Sequence, residues 1–205
     1  MERRELLKMI AVLTGGVVIG GDVFLAGCTS KDADASTFST DHIALLDEVG
    51  ETIIPTTATP GAKATKIGDF MKTIVTDCYN EAQQKVFGDG LAGLSDACKK
   101  INGKSFMDCT PDQRKSFLVT LQQEAKEYNK QRDDKEKAAR EEAQKKMDPN
   151  FVGAPSHYYT MIKQLTLWGY FSSEIGSKQA LRFLPIPGHY DGALPYKKGD
   201  KAWAI

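Results

Sequence analysis

Few residues of this chain combine the types and the spacing that enzyme chemistry requires. Its three histidines, His42, His157 and His189, are far apart, and no two of them have the spacing of metal ligands. The sequence contains neither a CxxCH haem site nor a GxSxG nucleophile elbow. Ser172-Ser173-Glu174 supplies hydroxyl groups and a carboxylate, but adjacent residues of a helix point in different directions. The sequence therefore predicts a chain without catalytic residues.

One glycine motif resembles a nucleotide-binding site. Gly88-Asp89-Gly90-Leu91-Ala92-Gly93 matches the GxGxxG dinucleotide fingerprint, but that fingerprint needs a preceding strand. Asn80–Lys85 is helix-forming sequence instead, so we interpret the match as accidental and expect a helix over 81–101, continuous or broken at Gly88–Gly90. The 27 Lys and Arg residues balance the 27 Asp and Glu residues. A neutral chain lacks the basic character of nucleic-acid-binding proteins, so we expect no nucleic-acid partner.

The first cysteine has the sequence context of a lipidation site. Residues 1–28 combine the pair Arg3-Arg4, a weakly apolar stretch and Leu25-Ala26-Gly27-Cys28, which is similar to a lipobox. We expect Arg3 and Arg4 to direct Tat export, and Cys28 to become the lipidated first residue of the mature chain. The alternative is a buried apolar helix with an incidental cysteine. Export would place the protein in the periplasm or cell envelope, anchored to the membrane through a polar tether over 29–40.

Three further cysteines, Cys78, Cys98 and Cys109, would then lie in an oxidising compartment. Cys98 and Cys109 are separated by a short helix end and loop. A disulfide between them closes easily and would contribute about 2–3 kcal/mol. Cys78 lies on the apolar stripe of a predicted helix, so we expect it to be a buried hydrophobic residue. Pairings of Cys78 with Cys98 or with Cys109 also remain open.

The elements that position these residues are predicted to be helices throughout. Apolar spacing predicts one helix from a Thr40-Asp41 cap to Pro55 and another from about Lys66 to Cys78. Thr110-Pro111-Asp112-Gln113 is a strong helix start, with a capping residue and proline in the first turn. The apolar stripe of that helix ends near Tyr128, and residues 129–148 are mostly charged, which is typical of a solvated extension. We predict an all-α domain over 41–205.

The last part of the chain carries most of the remaining large apolar side chains. Tyr158–Phe171 is apolar at helical spacing, including Trp168 and Phe171, and we expect that helix to be buried. Proline and glycine prevent a regular helix after Leu184, yet large apolar residues persist. We expect Phe183 and Leu184 to enter the core and the stretch from Tyr190 to Trp203 to face a partner. The partner-binding candidates are Pro187, Gly188, Tyr190, Tyr196 and Trp203.

Two segments resemble a known family. Ile53–Ala62, with its Pro-Thr-Thr and Thr-Pro-Gly-Ala groups, and Leu165–Gly176 are similar to signatures of the gluconate 2-dehydrogenase small subunit (subunit 3) family, and the tail from Pro185 to Tyr196 fits the same family. The lipobox suggests a lipoprotein-type member. The resemblance implies a non-catalytic subunit without a cofactor of its own. It would serve a periplasmic, membrane-bound sugar or polyol dehydrogenase by escorting the large subunit through Tat export and anchoring it.

The same resemblance names the expected partners. In this family the FAD belongs to a large flavoprotein subunit of the glucose–methanol–choline type, and a cytochrome c with haem c often accepts the electrons. The alternative is a stand-alone envelope lipoprotein that acts as a binding or structural module. Co-purification of a flavin dehydrogenase would distinguish the two hypotheses.

Overall fold

A computed structural model describes residues 38–186, 188–189, 192–195 and 197–204 of the chain. The predicted signal segment, with Arg3, Arg4 and Cys28, lies outside the described residues. Most of the predicted tether and the candidates Pro187, Tyr190 and Tyr196 also lie outside them. The described part is helical and contains no strand, which confirms the all-α prediction.

Five α-helices make up most of the described chain. They are α1 (Thr40–Ile53), α2 (Ile67–Cys78), α3 (Glu81–Asn102), α4 (Pro111–Lys146) and α5 (Tyr158–Ser172). Short 3-10 turns at Ala62–Thr65 and Phe106–Asp108 precede α2 and α4. A single π-helical turn, Gly176–Ala180, follows α5.

Side-chain caps fix where several helices begin. Thr110 accepts from the backbone N–H of Gln113 at 3.3 Å, and the Gln113 side chain accepts from the N–H of Thr110 at 3.0 Å. The helix start predicted at this position is therefore confirmed. At α1 the cap is Ser39, whose hydroxyl accepts from the N–H of His42 at 3.2 Å. Ser39 thus takes the capping position that the sequence assigned to Thr40-Asp41.

Helix α5 lies at the centre of the fold. It packs against each of the other four helices, and Met161, Ile162 and Leu165 are buried. The neighbouring helices pack their apolar side chains around α5. The prediction that this apolar helix lies in the core is therefore confirmed for its inner face. The surrounding side chains include Leu46, Val49, Ile67, Met71, Phe87, Leu91, Leu94 and Phe117.

Helix α3 continues without a break through Gly88–Gly90. A Cβ atom on Gly90 would lie 2.1 Å from the Cγ atom of Tyr158. Glycine at this position therefore lets the start of α5 pack closely against α3. The GxGxxG sequence lies inside a helix, which agrees with its interpretation as an accidental match.

Only the first part of α4 contributes to the core. Its buried residues end at Ala125, and the helix then continues through the charged segment to Lys146. After α4 the chain runs back alongside this extension. A hydrogen bond from the N–H of Ala154 to the Glu136 carboxylate joins the two segments. Nearer the core, the Asn129 side chain accepts from the N–H of His157 at 3.0 Å and donates to the Thr160 hydroxyl at 2.8 Å.

Candidate functional site: an exposed face where two signature segments meet

The Glu51 carboxylate organises the first signature segment. One of its oxygens accepts from the backbone N–H and the hydroxyl of Thr56, at 2.8 and 2.7 Å. The other oxygen accepts from the N–H of Lys63 at 3.0 Å. The Thr56 hydroxyl also accepts from the N–H of Gly61 at 3.0 Å. The loop between α1 and α2 is thus folded around one carboxylate, which satisfies backbone groups that no helix can pair.

Tyr170 joins the two signature segments. Its hydroxyl donates to the Pro60 carbonyl at 2.6 Å, across 110 residues of sequence, and its side chain is buried. Pro60 lies in the loop after α1, and Tyr170 lies in the last turn of α5. The two segments therefore form one structural unit rather than two separate sites.

Gly169, next to Tyr170, permits close packing of α2 on α5. A Cβ atom on Gly169 would lie 2.5 Å from side-chain atoms of both Ile67 and Phe70. The Phe70 ring then meets the Trp168 ring edge to face, with ring centroids 5.4 Å apart. Trp168 is in this way supported on one side by α2.

The outer face of α5, which consists of Leu167, Trp168 and Phe171, is exposed. These side chains are 40%, 56% and 41% exposed. Phe171 comes four residues after Leu167 and three after Trp168, so it lies beside both of them on the helix. The prediction that Trp168 and Phe171 are buried is wrong. Helix α5 carries apolar side chains around most of its circumference, but the neighbouring helices cover only part of it. Among the described residues, nothing covers the outer face.

Ser172, Ser173 and Glu174 end α5 rather than forming a catalytic pair. The Ser173 hydroxyl donates to the Tyr170 carbonyl at 2.6 Å and accepts from the N–H of Gly176 at 3.0 Å. The Ser172 hydroxyl donates to the Trp168 carbonyl at 2.7 Å. Glu174 pairs with Lys178, whose hydrogen bond and charge lower the pKa of the Glu174 carboxyl. Both hydroxyls thus serve the backbone as the helix gives way to the π-helical turn.

Contacts between Arg182 and the stretch around Trp203 join the two ends of the tail that follows. The N–H of Arg182 donates to the Ala202 carbonyl at 2.8 Å, and the N–H of Ala204 donates to the Arg182 carbonyl at 2.9 Å. The Arg182 guanidinium lies 4.7 Å from the centre of the Trp203 ring, within cation–π distance. Of the partner-binding candidates that the structure describes, Gly188 and Trp203 are both exposed, and Gly188 has a φ angle of +79°.

Phe183 and Leu184 follow Arg182 and are 40% and 50% exposed. The prediction that they enter the core is therefore wrong. The backbone pairing of Arg182 with residues 202 and 204 holds this part of the tail at the surface, and no helix of the described residues covers the two side chains. With Ile186, which is also exposed, they add apolar surface to the tail.

The structure brings Cys98 and Cys109 together. Their sulfur atoms are 3.6 Å apart, and both residues are buried with free thiols. Cys78 ends α2 and is exposed, so the prediction that it is a buried hydrophobic residue is wrong. The stripe of Ile67, Met71 and Val75 faces the core, but the residues after Val75 at the end of α2 are exposed to solvent. The disulfide itself stays a prediction.

A partly buried ion pair stabilises the helices behind this site. The Glu48 carboxylate of α1 accepts from Arg114 of α4 and, at 2.8 Å, from Lys63. Arg114 also donates to the carbonyls of Phe106 and Met107, at 3.0 and 2.7 Å. Burial raises the pKa of the Glu48 carboxyl, but the hydrogen bond from Lys63 and the charges of both cations outweigh it, so the pKa is lowered.

Within the residues that the structure describes, no three His, Cys, Asp or Glu side chains cluster where they could hold a metal ion. None of the described helices is long and apolar enough to cross a membrane.

In a comparison with protein-family models, residues 40–188 match gluconate 2-dehydrogenase subunit 3. The chain belongs to this family. Searches of curated proteins and of solved structures returned no match. Membership indicates an accessory subunit of a dehydrogenase complex. The match includes both signature segments and the outer face of α5, and it ends at Gly188, before Trp203.

Sequence reasoning missed the residues that assemble this site. Tyr170 and Gly169 stand inside the second signature segment, but nothing in their spacing identifies Pro60 and Phe70 as their contacts. Glu51 precedes the first segment by a few residues. An acidic side chain just before a loop rich in proline and threonine is the one signal that could have indicated its capping role.

Proposed function

We propose that this chain is the non-catalytic small subunit of a periplasmic, membrane-bound, FAD-dependent sugar or polyol dehydrogenase. The outer face of α5 docks the flavoprotein subunit. The observation that carries this proposal is the position of the face: Leu167, Trp168 and Phe171 are exposed on the signature segment that Tyr170 ties to the other one. The two signature segments pack together, and one of them carries the exposed apolar face. Such an arrangement is suited to binding a partner subunit.

The chemistry of the face fits a protein partner. Aromatic side chains are enriched among the residues that dominate binding energy, and tryptophan most of all. The edge-to-face contact with the Phe70 ring restricts the Trp168 side chain, so less side-chain entropy is lost when a partner covers it. Covering the remaining exposed half of Trp168 and part of Phe171 would contribute about 1–3 kcal/mol per side chain, or about 5–150-fold in Kd.

The cofactors are assigned to the partners. FAD would belong to the flavoprotein of the glucose–methanol–choline type, and haem c to a cytochrome c subunit that accepts electrons. This chain contributes binding and placement, which agrees with a fold whose hydroxyl and carboxylate groups around the junction are used for capping and loop formation.

The proposal includes a route and an anchor. Arg3-Arg4 would direct Tat export of this chain together with its folded flavoprotein, and Cys28 would carry the lipid that holds the complex on the membrane. The support for both is the order of the twin arginines, the apolar stretch and the Leu-Ala-Gly-Cys sequence. Two acyl chains on one cysteine give stable anchoring, since a single chain binds only marginally.

The experiment is affinity purification of the full chain from membranes, with an absorbance scan for flavin and haem. We expect wild type to retain flavin and Trp168→Ala/Phe171→Ala to lose most of it. The matched control is Ile101→Ala, which truncates a 58% exposed apolar side chain at the end of α3 and should retain flavin. Circular dichroism should show equal helix content in all three proteins.

Two results would refute parts of this proposal. If the double variant retains as much flavoprotein as wild type, the outer face of α5 is not the docking surface. If wild type itself brings down no flavoprotein from cells that make both, the accessory-subunit assignment fails. That second result would favour a stand-alone envelope lipoprotein.

A further inference from the structure

The buried thiols of Cys98 and Cys109 have no role in the proposed docking surface. Cys98 lies in the last part of α3, and Cys109 lies just before the Thr110 cap of α4. Their sulfur atoms are 3.6 Å apart. Cys98 is completely buried and Cys109 is 5% exposed.

The segment between the two cysteines is already fixed while the thiols are free. Phe106 is buried in the core, and its carbonyl and that of Met107 accept hydrogen bonds from Arg114. The Ser105 hydroxyl donates to the Asp108 carboxylate at 2.7 Å. A disulfide has a sulfur–sulfur distance of about 2.05 Å. Bond formation therefore needs only a small movement of two side chains whose backbone positions are set by other contacts.

We propose that Cys98 and Cys109 are a disulfide-forming site, oxidised by exchange with the disulfide of a thiol–disulfide oxidoreductase. The Cys109 thiolate attacks one sulfur of that disulfide, which forms a mixed disulfide and releases the other sulfur as a thiolate. The Cys98 thiolate then attacks the Cys109 sulfur and releases the second. Two thiols are oxidised to one disulfide, the partner disulfide is reduced to a dithiol, and the two protons end on the partner's sulfurs.

The order of attack follows from the surroundings of each sulfur. Cys109 is the more exposed thiol and lies in the connection between helices, where a small local opening can admit a second protein. Cys98 is enclosed by α3 and the core, and this burial raises the pKa of its thiol. The Cys98 thiol therefore forms a thiolate less readily than an ordinary cysteine thiol does, and its enclosed position suits it to the second, intramolecular attack.

The bond would join the end of α3 to the start of α4. It would restrict the unfolded chain by closing the loop from residue 98 to residue 109, which raises the stability of the fold. For a folded part of this size, a gain of about 2–3 kcal/mol raises Tm by about 4–12 °C. Oxidation in cells rests on the export that is part of the proposed function, because disulfides persist in oxidising compartments.

The first experiment tests the site without depending on location. The full chain carrying Cys78→Ser is reduced, equilibrated with equal concentrations of reduced and oxidised glutathione, blocked with N-ethylmaleimide and digested with trypsin. Cleavage after Lys99 and Lys104 separates the two cysteines, so the peptides 86–99 and 105–114 stay together only through a disulfide. We expect the linked pair to dominate, and reductant to lower Tm by about 4–12 °C.

The matched control carries Cys98→Ala and Cys109→Ala as well, and its Tm should not respond to reductant. N-ethylmaleimide on both Cys98 and Cys109 in the Cys78→Ser chain, or glutathione on each of these two cysteines, would overturn the proposal. If the control variant fails to fold, the linked peptides and the response of the Cys78→Ser chain to reductant decide the question alone.

A second measurement separates this proposal from the proposed function. The same peptides are mapped from the full wild-type chain after acid trapping of cells. Linked peptides there support both the site and export. A chain that oxidises in glutathione but is reduced in cells overturns export and the in-cell bond, whereas a chain that resists oxidation in glutathione overturns the site itself.

Discussion

Replacing Arg114 by methionine should destabilise the fold strongly, because one side chain serves three acceptors. It donates to the Glu48 carboxylate and to the carbonyls of Phe106 and Met107, and its guanidinium lies 5.6 Å from the centre of the Phe106 ring. The Arg114 side chain is 14% exposed, so water replaces these bonds poorly. Methionine keeps the apolar stem and removes every donor.

The expected loss is about 3–4 kcal/mol. Removing one partner of a buried pair typically costs about 3–5 kcal/mol, and a hydrogen bond to a charged group is worth about 1.5–3 kcal/mol. Glu48 keeps its bond to Lys63 at 2.8 Å, which places the expected loss at the lower end of that range. The same change would lower Tm by about 6–16 °C for a domain of this size.

The loss should also depend on pH. The Glu48 pKa is lowered in the folded chain from its ordinary value of 4.5, so its ionised form adds stability above that pH. This contribution disappears as the pH falls through the lower, folded value. The gap between wild type and Arg114→Met should therefore narrow below about pH 4.5, while the part due to the two carbonyls remains.

The assay is urea unfolding followed by circular dichroism at pH 7 and at pH 3.5. Lys115→Met is the control, since it removes a positive charge from the next, exposed residue of the same helix. The reasoning is refuted if Arg114→Met loses less than about 1 kcal/mol at pH 7, the ordinary value of a single hydrogen bond. A gap of equal size at both pH values would refute the role given to the Glu48 charge.

Three further changes test other parts of the structure, and a fourth tests the signal segment. Tyr170→Phe removes the hydroxyl that donates to Pro60, so we expect a loss of about 1 kcal/mol and faster proteolysis of the loop after α1; unchanged cleavage would contradict the link. Gly90→Ala should cost about 1–3 kcal/mol in urea unfolding by pushing against Tyr158. Gly93→Ala, with nothing within 4 Å of its added Cβ, should stabilise the fold by about 0.5–1 kcal/mol. If Gly90→Ala and Gly93→Ala change the stability equally, Tyr158 does not pack closely against Gly90. Cys28→Ser should abolish labelling with radioactive fatty acid, and a labelled variant would exclude the lipobox.

Local signals in the sequence predicted much of the fold. Thr110, Pro111 and Gln113 act within one turn of helix, so their pattern alone identifies where α4 begins. The charged segment after Tyr128 buries nothing, as its composition indicates. Such features depend only on residues that are close together in the sequence, so they can be recognised without knowing how distant parts of the chain pack.

The site could not be predicted in the same way. The hydrogen bond from Tyr170 to Pro60 spans 110 residues, and only the packed helices bring its two ends together. An apolar side chain looks alike in sequence whether its own fold or a partner covers it, so Trp168 and Phe171 could not be distinguished from Leu165. Cys78 differs from the buried residues of α2 only by being the last residue of the helix.

The return of the chain along α4 makes the charged extension a detachable module. The backbone leaves the core near Asn129 and comes back at His157, and those two residues hydrogen-bond to each other at 3.0 Å. Everything between them could be exchanged for a short connector while the core keeps its contacts. Evolution can therefore lengthen or shorten this arm by whole helical turns without redesigning the core. An engineer could use its tip, near the exposed Met147, to insert a reporter or a tether far from the core.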